Sequence, residues 1–276
     1  MAAAKAQVWT PRQLVGAGRA RLPQRAEACR AATAVKLNTQ RPRRLAPLRA
    51  KLFDEERQAE LLYFDAMGVA EVTRLLFAAA EMPFKDNRYT IDFSSGKPQV
   101  EARHAEDKEA GAFSSNLGRL PLLRLPDGAS IGQSKAIERL VARELGLMGG
   151  SEVEAAQIDA YCEHLRDIRE AYAKAKGNPF APPTEETEAA LVKWFDEDMP
   201  TWMSKLEVAT GASGSAVGSS LSLADVALFA LLTQSISDER CVKSYAACPN
   251  ISSVMAAVGS HEGVARWLDT RPKTAF

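Results

Sequence analysis

The stretch "LPLLRLPDGASIG" at residues 120–132 decides the fold class, because it predicts two β-strands joined by a tight turn. Two apolar runs flank Asp127 and Gly128, and an Asp-Gly pair suits a hairpin because both residues tolerate a positive φ. The stretch that follows, "QSKAIERLVARELGL" at 133–147, carries apolar residues at helical spacing. The sequence therefore predicts a β-hairpin that leads directly into a helix.

A second α/β pattern precedes this hairpin. The stretch "LLYFD" at 61–65 predicts a strand, and "GVAEVTRLLFAAAEM" at 68–82 predicts an amphipathic helix. Another extended segment is predicted for "FKDNRYTIDF" at 84–93, whereas the polar segment 94–118 shows no periodicity. The predicted order is therefore β-α-β, an irregular segment, and then β-β-α.

Only helices are predicted after Ser151. Four stretches carry apolar residues at helical spacing, and the second of them contains Pro200, which predicts a kink. They are residues 152–177, 188–209, 222–234 and 251–272, the last of which predicts two short helices. Together, the patterns predict three regions: a basic segment at 1–57, an α/β domain at 58–147 and an all-helical domain at 148–276.

The N-terminal segment has an unusual charge. Residues 1–53 carry nine Arg and three Lys against one acidic residue, Glu27, and four prolines interrupt them. An Arg-rich, acid-poor segment is typical of organellar transit peptides, although this one contains no serine. We therefore expect a removable targeting segment for a chloroplast or mitochondrion; a retained tail on a cytoplasmic protein is the alternative. In both cases we expect residues up to about 57 to pack little against the remainder.

The composition of the remaining chain excludes several classes of protein. Beyond residue 53, 34 acidic residues outnumber 23 basic ones, which argues against nucleic acid as the main partner. Apolar runs such as 226–232 are too short for a transmembrane helix, so no membrane partner is expected. The four cysteines and three histidines follow no metal-ligand spacing. Neither a metal nor a disulfide scaffold is therefore expected, and a reducing compartment suits the thiols.

Four stretches carry a resemblance to a known family, in this order: "LYFDAMGVAEVTRLLFAAAEMPF", "GRLPLLRL", "IGQSKAIERLVARELGLMG" and "VGSSLSLADVALFALL". Residues 60–276 resemble the cytosolic-type glutathione transferases, and most closely the tyrosine-dependent, sigma-like group with its algal and invertebrate members. The resemblance implies a thioredoxin-like N-terminal fold, an all-helical C-terminal domain and a homodimer. It also implies glutathione as co-substrate and a small hydrophobic electrophile as second substrate.

Tyr63 is the candidate catalytic residue. The family's catalytic tyrosine is the first residue of a Tyr-Phe pair at the end of the first strand, which is the place of Tyr63 and Phe64. The resemblance implies that its hydroxyl donates a hydrogen bond to the glutathione sulfur and favours the thiolate, since a free thiol has a pKa near 8.5. Without the resemblance, a tyrosine in a strand is more simply a core residue.

The hairpin and its helix supply the candidate residues for binding glutathione. Gln133 and Ser134 open a helix whose free N–H groups favour an anion, and the resemblance implies that the γ-glutamyl carboxylate binds there. A purely capping role for Ser134 is the alternative. The resemblance also implies that Pro121 is cis and that the Leu120 backbone pairs with the cysteinyl unit; an ordinary trans proline is the alternative.

Two charged residues complete the expected glutathione site. Asp167 matches a carboxylate that, in some relatives, reaches the γ-glutamyl amine across the dimer interface; a solvated acid on a helix face is the alternative. Lys108 and Ala112 stand about where the family has a tryptophan and a lysine that hold the glycine end of glutathione, so this part departs from the pattern, and Lys108 is expected to substitute for them. The insertion before it makes Arg103 and His104 alternatives for that role.

The electrophile pocket and one departure from the family pattern leave two functions open. Met67 and Tyr161 are expected to line the pocket, whereas Val69 stands where sigma-like members usually carry an arginine that supports the tyrosine and the thiolate. An enzyme would conjugate glutathione to electrophiles, or catalyse a glutathione-dependent isomerisation or peroxide reduction. The alternative is a catalytically idle, glutathione transferase-like protein with a binding or structural role, as in the family's lens crystallins. The intact Tyr63 favours the enzyme, and Val69 favours the alternative.

Overall fold

Six strands lie in the N-terminal half of the computed structural model, which describes residues 51–95, 97–178, 182–236 and 238–274. They are β1 (Glu60–Phe64), β2 (Lys85–Tyr89), β3 (Ile91–Asp92), β4 (Gln99–Val100), β5 (Leu122–Arg124) and β6 (Ser130–Gly132). Four of them form a mixed sheet in the order β2-β1-β5-β6, and β3 pairs with β4 in a separate ribbon. Because β1 is parallel to β2 and antiparallel to β5, the predicted hairpin β5–β6 extends the sheet on one side of β1.

Three helices accompany these strands: α1 (Glu71–Ala79), α2 (Ala102–Glu109) and α3 (Ser134–Glu144). The predicted order β-α-β followed by β-β-α is confirmed, and with it the thioredoxin-like fold of this half. The prediction of an irregular segment at 94–118 is wrong, because this segment contains β4, α2 and a 3-10 turn at Ser114–Asn116. Helix α2 buries none of its residues, so it has no apolar face that a periodicity could reveal.

The C-terminal half is all-helical in the part of the chain that the structure describes, as predicted. Its helices are α4 (Glu152–Lys176), α5 (Glu185–Lys193), α6 (Met199–Ala209), α7 (Leu223–Ala230), α8 (Arg240–Ser244), α9 (Pro249–Ser260) and α10 (Glu262–Thr270). Only the five-residue α8 was not predicted. Helix α1 contacts α3, α7 and α10, and therefore joins the α/β half to the helical half. No helix among the described residues is both long and apolar enough to cross a membrane.

The kink predicted at Pro200 takes the form of a π-helical turn. The turn spans Trp194–Asp198 and connects α5 to α6, whose second residue is Pro200. Proline has no N–H for the helical ladder, and one extra residue per turn makes room for its ring. The π turn therefore allows the helical conformation to continue through Pro200.

The described part of the basic segment packs against the body. Phe53 is 1% exposed, and its ring lies 5.4 Å from that of Phe77 in α1. The Leu52 N–H donates a hydrogen bond of 2.6 Å to the Glu144 carboxylate at the end of α3. The prediction that residues up to about 57 pack little is therefore wrong for Leu52 and Phe53. Residues 1–50, on which the targeting prediction rests, lie outside the described residues, and the predicted boundaries at 58–147 and 148–276 stay predictions.

Candidate active site

Tyr63 lies near the end of β1 with its hydroxyl against the turn that follows. The hydroxyl oxygen accepts a long hydrogen bond of 3.4 Å from the Val69 backbone N–H. Gly68 has a φ of +44°, and a Cβ on it would lie 2.6 Å from the Tyr63 hydroxyl oxygen. Glycine is therefore required at position 68 both by the backbone conformation and by the approach of the ring.

The sheet register brings the predicted residues to one edge. Leu62 in β1 lies opposite Leu122 in β5, which lies opposite Gly132 in β6. The next residues in the same direction are Tyr63, Pro121 and Gln133, in that order across the sheet. Because neighbouring strands are about 4.8 Å apart, this edge is about 10 Å wide from Tyr63 to Gln133. A molecule of tripeptide size can therefore reach all three positions at once.

The first turn of α3 offers unpaired donors at this edge. Gln133 has a φ of +69° and a ψ of 114°, and the helix begins at Ser134 without a side-chain cap. The first N–H groups of a helix have no partner within it, and they lie at the positive end of its dipole. The turn at Ser134 can therefore bind an anion, as the sequence predicts.

The loop before β5 is fixed by a residue that the sequence analysis missed. The Leu120–Pro121 peptide bond is cis, as predicted. Asn116 is buried, and its side-chain amide donates hydrogen bonds of 2.9 Å to the carbonyls of Arg119 and Pro121. A Cβ on Gly132 would overlap the Asn116 side chain, so the loop also packs tightly on β6. Asn116 lies in a polar segment without periodicity, so no sequence signal singled it out.

Three residues were predicted as candidates for binding the glycine end of glutathione, and of these Lys108 lies beside the loop. Its Cε would be 3.4 Å from a Cβ on Gly118, two residues before Leu120. Within the described residues, no side-chain hydrogen bond or ion pair involves Lys108. Arg103 is already engaged, because it donates to the Arg88 carbonyl at 2.8 Å. His104 is half-buried, and burial together with the nearby Lys108 charge lowers the pKa of its imidazole.

A narrow crevice lies between the two halves beside the Tyr63 hydroxyl. It is lined by Gly68 and Val69, by residues of α3 and α4, and by α7 with the π turn Leu231–Ser235 that follows it. Its cavity volume is about 30 Å³. A molecule in this crevice would lie beside Gly68 and Val69, which contact the Tyr63 hydroxyl.

The geometry gives no support to the predicted pocket residues Met67 and Tyr161. Neither of them lines the crevice. Tyr161 is buried, and its hydroxyl shares a hydrogen bond of 2.8 Å with Thr210, so its ring belongs to the core of the helical half. Burial also raises the pKa of the Tyr161 phenol well above its ordinary value. Asp167 lies on α4 with 53% of its side chain exposed, and its carboxylate lies 3.9 Å from the Arg166 guanidinium.

A buried arginine ties the loop after β1 to the C-terminal helix. The Arg74 side chain is fully buried; its Nη1 donates to the Ala66 carbonyl at 2.7 Å and to Glu71 Oε2 at 3.2 Å. Glu71 Oε1 in turn accepts from Trp267 Nε1 at 2.9 Å and from Arg271 Nη1 at 2.6 Å. These contacts join residues up to 200 positions apart, so the sequence could not reveal them.

Neither thiol nor metal chemistry is apparent in the described residues. Burial raises the pKa of the Cys162 thiol to about 12, which leaves it protonated and unreactive at neutral pH. Within the described ranges, no three His, Cys, Asp or Glu side chains are grouped so that they could hold a metal ion.

The fold and this arrangement are those of the glutathione-binding proteins with a thioredoxin-like domain. The family model described as "Glutathione S-transferase, C-terminal domain" matches residues 166–271. The chain is 30% identical over 228 residues to the probable glutathione S-transferase 8 of Caenorhabditis elegans, a match that covers 79% of this chain and 98% of that protein. The chain belongs to the glutathione S-transferase family.

Two further relatives bear on its activity and assembly. S-crystallin SL11 of Nototodarus sloanii is 25% identical over 218 residues, with 78% of this chain and 98% of that protein covered. The crystal structure of monomeric Na-GST-3, a glutathione S-transferase from Necator americanus, superposes with a TM-score of 0.59 at 27% identity. That match covers 79% of this chain and 100% of the other. The proteins similar to this one therefore include one named an S-crystallin and one described as a monomer.

Proposed function

We propose that this protein is a glutathione transferase, in which Tyr63 activates the glutathione thiol for attack on a small hydrophobic electrophile. The observation that carries the proposal is the position of the Tyr63 hydroxyl. Its oxygen accepts a hydrogen bond from the Val69 N–H, at the sheet edge that it shares with Pro121 and Gln133. A phenol has one proton to donate, and a neighbour that fills an acceptor position leaves this proton free for a sulfur atom.

The size of the required effect is within the reach of one hydrogen bond. A thiol with a pKa near 8.5 is mostly protonated at neutral pH. Lowering this pKa by about two units requires about 2.7 kcal/mol of preferential stabilisation of the thiolate. A hydrogen bond to a charged group contributes about 1.5–3 kcal/mol, so the Tyr63 hydroxyl could supply most of it.

The remaining contacts to glutathione are assigned from the same edge. The γ-glutamyl carboxylate would bind the first turn of α3 and the Ser134 hydroxyl, since that turn has no side-chain cap. The backbone of Leu120 would pair with the cysteinyl unit. Lys108 would hold the glycyl carboxylate, because its ammonium has no protein partner among the described residues and its stem lies beside Gly118.

The test measures glutathione binding and turnover separately. We expect retention on immobilised glutathione and conjugation of 1-chloro-2,4-dinitrobenzene. The ultraviolet absorbance of the bound thiolate, followed against pH, should give a thiol pKa below that of free glutathione in the wild type. In Tyr63→Phe this pKa should be close to that of free glutathione. Turnover near neutrality should then fall about ten- to a hundredfold, each tenfold being about 1.4 kcal/mol of barrier. Tyr245→Phe, outside the crevice, is the matched control, and equal thiolate titration in wild type and Tyr63→Phe would refute the assignment.

A second candidate function is a catalytically idle binding or structural protein. Val69 in place of the family's usual arginine favours it, as do the small crevice volume of about 30 Å³ and the similarity to an S-crystallin. Retention on immobilised glutathione without turnover of any acceptor would select this function over the first.

We also propose that the protein is a homodimer and that it is imported into an organelle. Asp167 is exposed on α4, where a partner could bring a γ-glutamyl amine to it. Sedimentation at micromolar concentration measures the assembly, and a monomer would remove Asp167 from the site. The basic residues 1–53 are the ground for import, and a fluorescent protein fused behind them that stays in the cytoplasm would contradict it.

A further inference from the structure

Three cationic side chains line the crevice beside Tyr63, and they differ in whether they have a partner. Lys135 binds Glu138 at 2.8 Å, and Arg166 binds Glu163 at 2.8 Å. Arg169, one turn along α4, is half-buried. Within the described residues, it forms no ion pair within 4 Å and no side-chain hydrogen bond.

The surroundings of Arg169 leave its charge largely uncompensated. Val69, Leu165 and Leu231 give the crevice apolar walls, and the carboxylates of Glu71 and Glu138 also line it. Both carboxylates already have other partners. Glu71 accepts hydrogen bonds from Arg74, Trp267 and Arg271. Glu138 is buried, lies within electrostatic range of Arg169, and accepts hydrogen bonds from the Lys135 ammonium on both oxygens, at 2.8 and 3.1 Å. A part-buried cation beside carboxylates that are bonded to other groups favours an anion that brings acceptors to it.

The size of the crevice fits a small anionic group. A volume of about 30 Å³ has room for about two water-sized groups, which is the size of the two oxygens of a carboxylate and too little for an aromatic ring. The ring of an acceptor would therefore remain at the mouth of the crevice, near Gly68 and the Tyr63 hydroxyl. Only its charged end would enter.

We propose that the second substrate of this protein is an electrophile that carries a carboxylate, and that Arg169 binds this carboxylate in the crevice. The inference rests on the proposed glutathione transferase function. With an aryl chloride as acceptor, the glutathione sulfur forms a bond to the ring carbon and the carbon–chlorine bond breaks. Chloride leaves with the bonding electrons, and the thiol proton passes to solvent. Arg169 takes no part in these bond changes and acts only on the binding and orientation of the acceptor.

The test compares two acceptors of similar size, the anionic 4-chloro-3-nitrobenzoate and the neutral 4-chloro-3-nitrobenzamide. Each kcat/KM is divided by the uncatalysed rate constant, because the two substituents activate the ring differently. We expect the wild type to prefer the benzoate by about tenfold, which corresponds to about 1.4 kcal/mol. Arg169→Gln should bring this ratio close to one, and Arg169→Lys should restore part of it. Arg166→Gln, on the same helix but at a cation that already has a partner, should keep the wild-type ratio.

The outcomes separate this inference from the proposed function. If 1-chloro-2,4-dinitrobenzene is conjugated but the wild type treats the benzoate and the benzamide alike, the inference is refuted while the transferase function stands. A preference that survives in Arg169→Gln refutes it as well. If no acceptor is conjugated, the two S-aryl glutathione conjugates are compared by calorimetry. Tighter binding of the carboxylate conjugate that is lost in Arg169→Gln supports the inference for a binding protein, and equal binding refutes it.

Discussion

Replacing Gly68 by Ala should move the Tyr63 hydroxyl without unfolding the protein. The new Cβ would lie 2.6 Å from the hydroxyl oxygen, 3.0 Å from Cε1 and 3.2 Å from Cζ of the same ring. An ordinary contact begins near 3.4 Å, so the hydroxyl must retreat by about 0.8 Å. The hydroxyl is the far end of a side chain with two torsions, so the ring can swing while the backbone stays in place.

The effect on activity should therefore exceed the effect on stability. A misplacement of about 1 Å at a reacting group can cost about a hundredfold in rate, so kcat/KM for glutathione conjugation should fall about ten- to a hundredfold. The unfolding free energy should fall only by the cost of a positive φ at a non-glycine residue, about 1–2 kcal/mol. Gly128→Ala is the matched control. Gly128 has a φ of +90°, and a Cβ there would meet no atom within 4 Å.

The assay compares conjugation rates and thermal midpoints of Gly68→Ala, Gly128→Ala and both combined with Tyr63→Phe. Tyr63→Phe removes the hydroxyl oxygen, which is the atom that the new Cβ would approach most closely. Gly68→Ala should therefore cost less activity in Tyr63→Phe than in the wild type, and a double-mutant cycle measures this difference. If Gly68→Ala and Gly128→Ala have the same activity, the reasoning that places the reacting group at the Tyr63 hydroxyl is refuted.

Three further predictions concern the binding edge and the N-terminus. Ser134→Ala should weaken glutathione binding by about 1.5–3 kcal/mol, measured by calorimetry, and unchanged affinity would leave Ser134 as a mere helix start. Asn116→Ala leaves two loop carbonyls without their donor and should cost about 2–4 kcal/mol in denaturant unfolding; a loss below about 0.5 kcal/mol would show that the loop is held otherwise. A chain that begins at Ala50 should keep the thermal midpoint of the full chain. One that begins at Gln58 lacks Phe53 and should lose about 3–5 kcal/mol, and equal midpoints of the two shortened chains would contradict this.

The sequence predicted those elements that bury an apolar face. The hairpin at 120–132 and the helix α3 behind it were predicted because Leu122, Leu123, Ile137 and Val141 are all buried, and burial produces the periodicity that was read. Helix α2 has no buried residue and left no such trace. Helix α5 also has no buried residue, and it was predicted only as part of the longer helical pattern at 188–209. An exposed helix that no such pattern continues is therefore found only in the structure.

The sequence predicted the part of the candidate site that the backbone of the sheet forms. It did not predict the part that side chains from distant helices form. The register that aligns Tyr63, Pro121 and Gln133 follows from the strand order, which the resemblance supplied. Residues of α4 and of the π turn after α7 form walls of the crevice. No local sequence pattern determines which residues of these helices face the crevice. Tyr161 illustrates the difficulty: it falls on the apolar face of α4 as predicted, but that face points into the core and Thr210 satisfies its hydroxyl.

Val69 replaces an arginine of the family pattern, and this replacement should reduce catalysis less than the loss of the positive charge alone suggests. In this structure position 69 meets the Tyr63 hydroxyl through its backbone N–H, which every residue except proline possesses. The N–H fills an acceptor position of the phenol oxygen, so under the proposed function the phenol proton stays free for the glutathione sulfur. An arginine side chain would add a positive charge beside the thiolate, whereas valine adds only an apolar wall to the crevice. Val69 therefore removes one stabilising charge, which favours the idle protein, but it keeps the backbone contact to the Tyr63 hydroxyl on which the proposed transferase function rests.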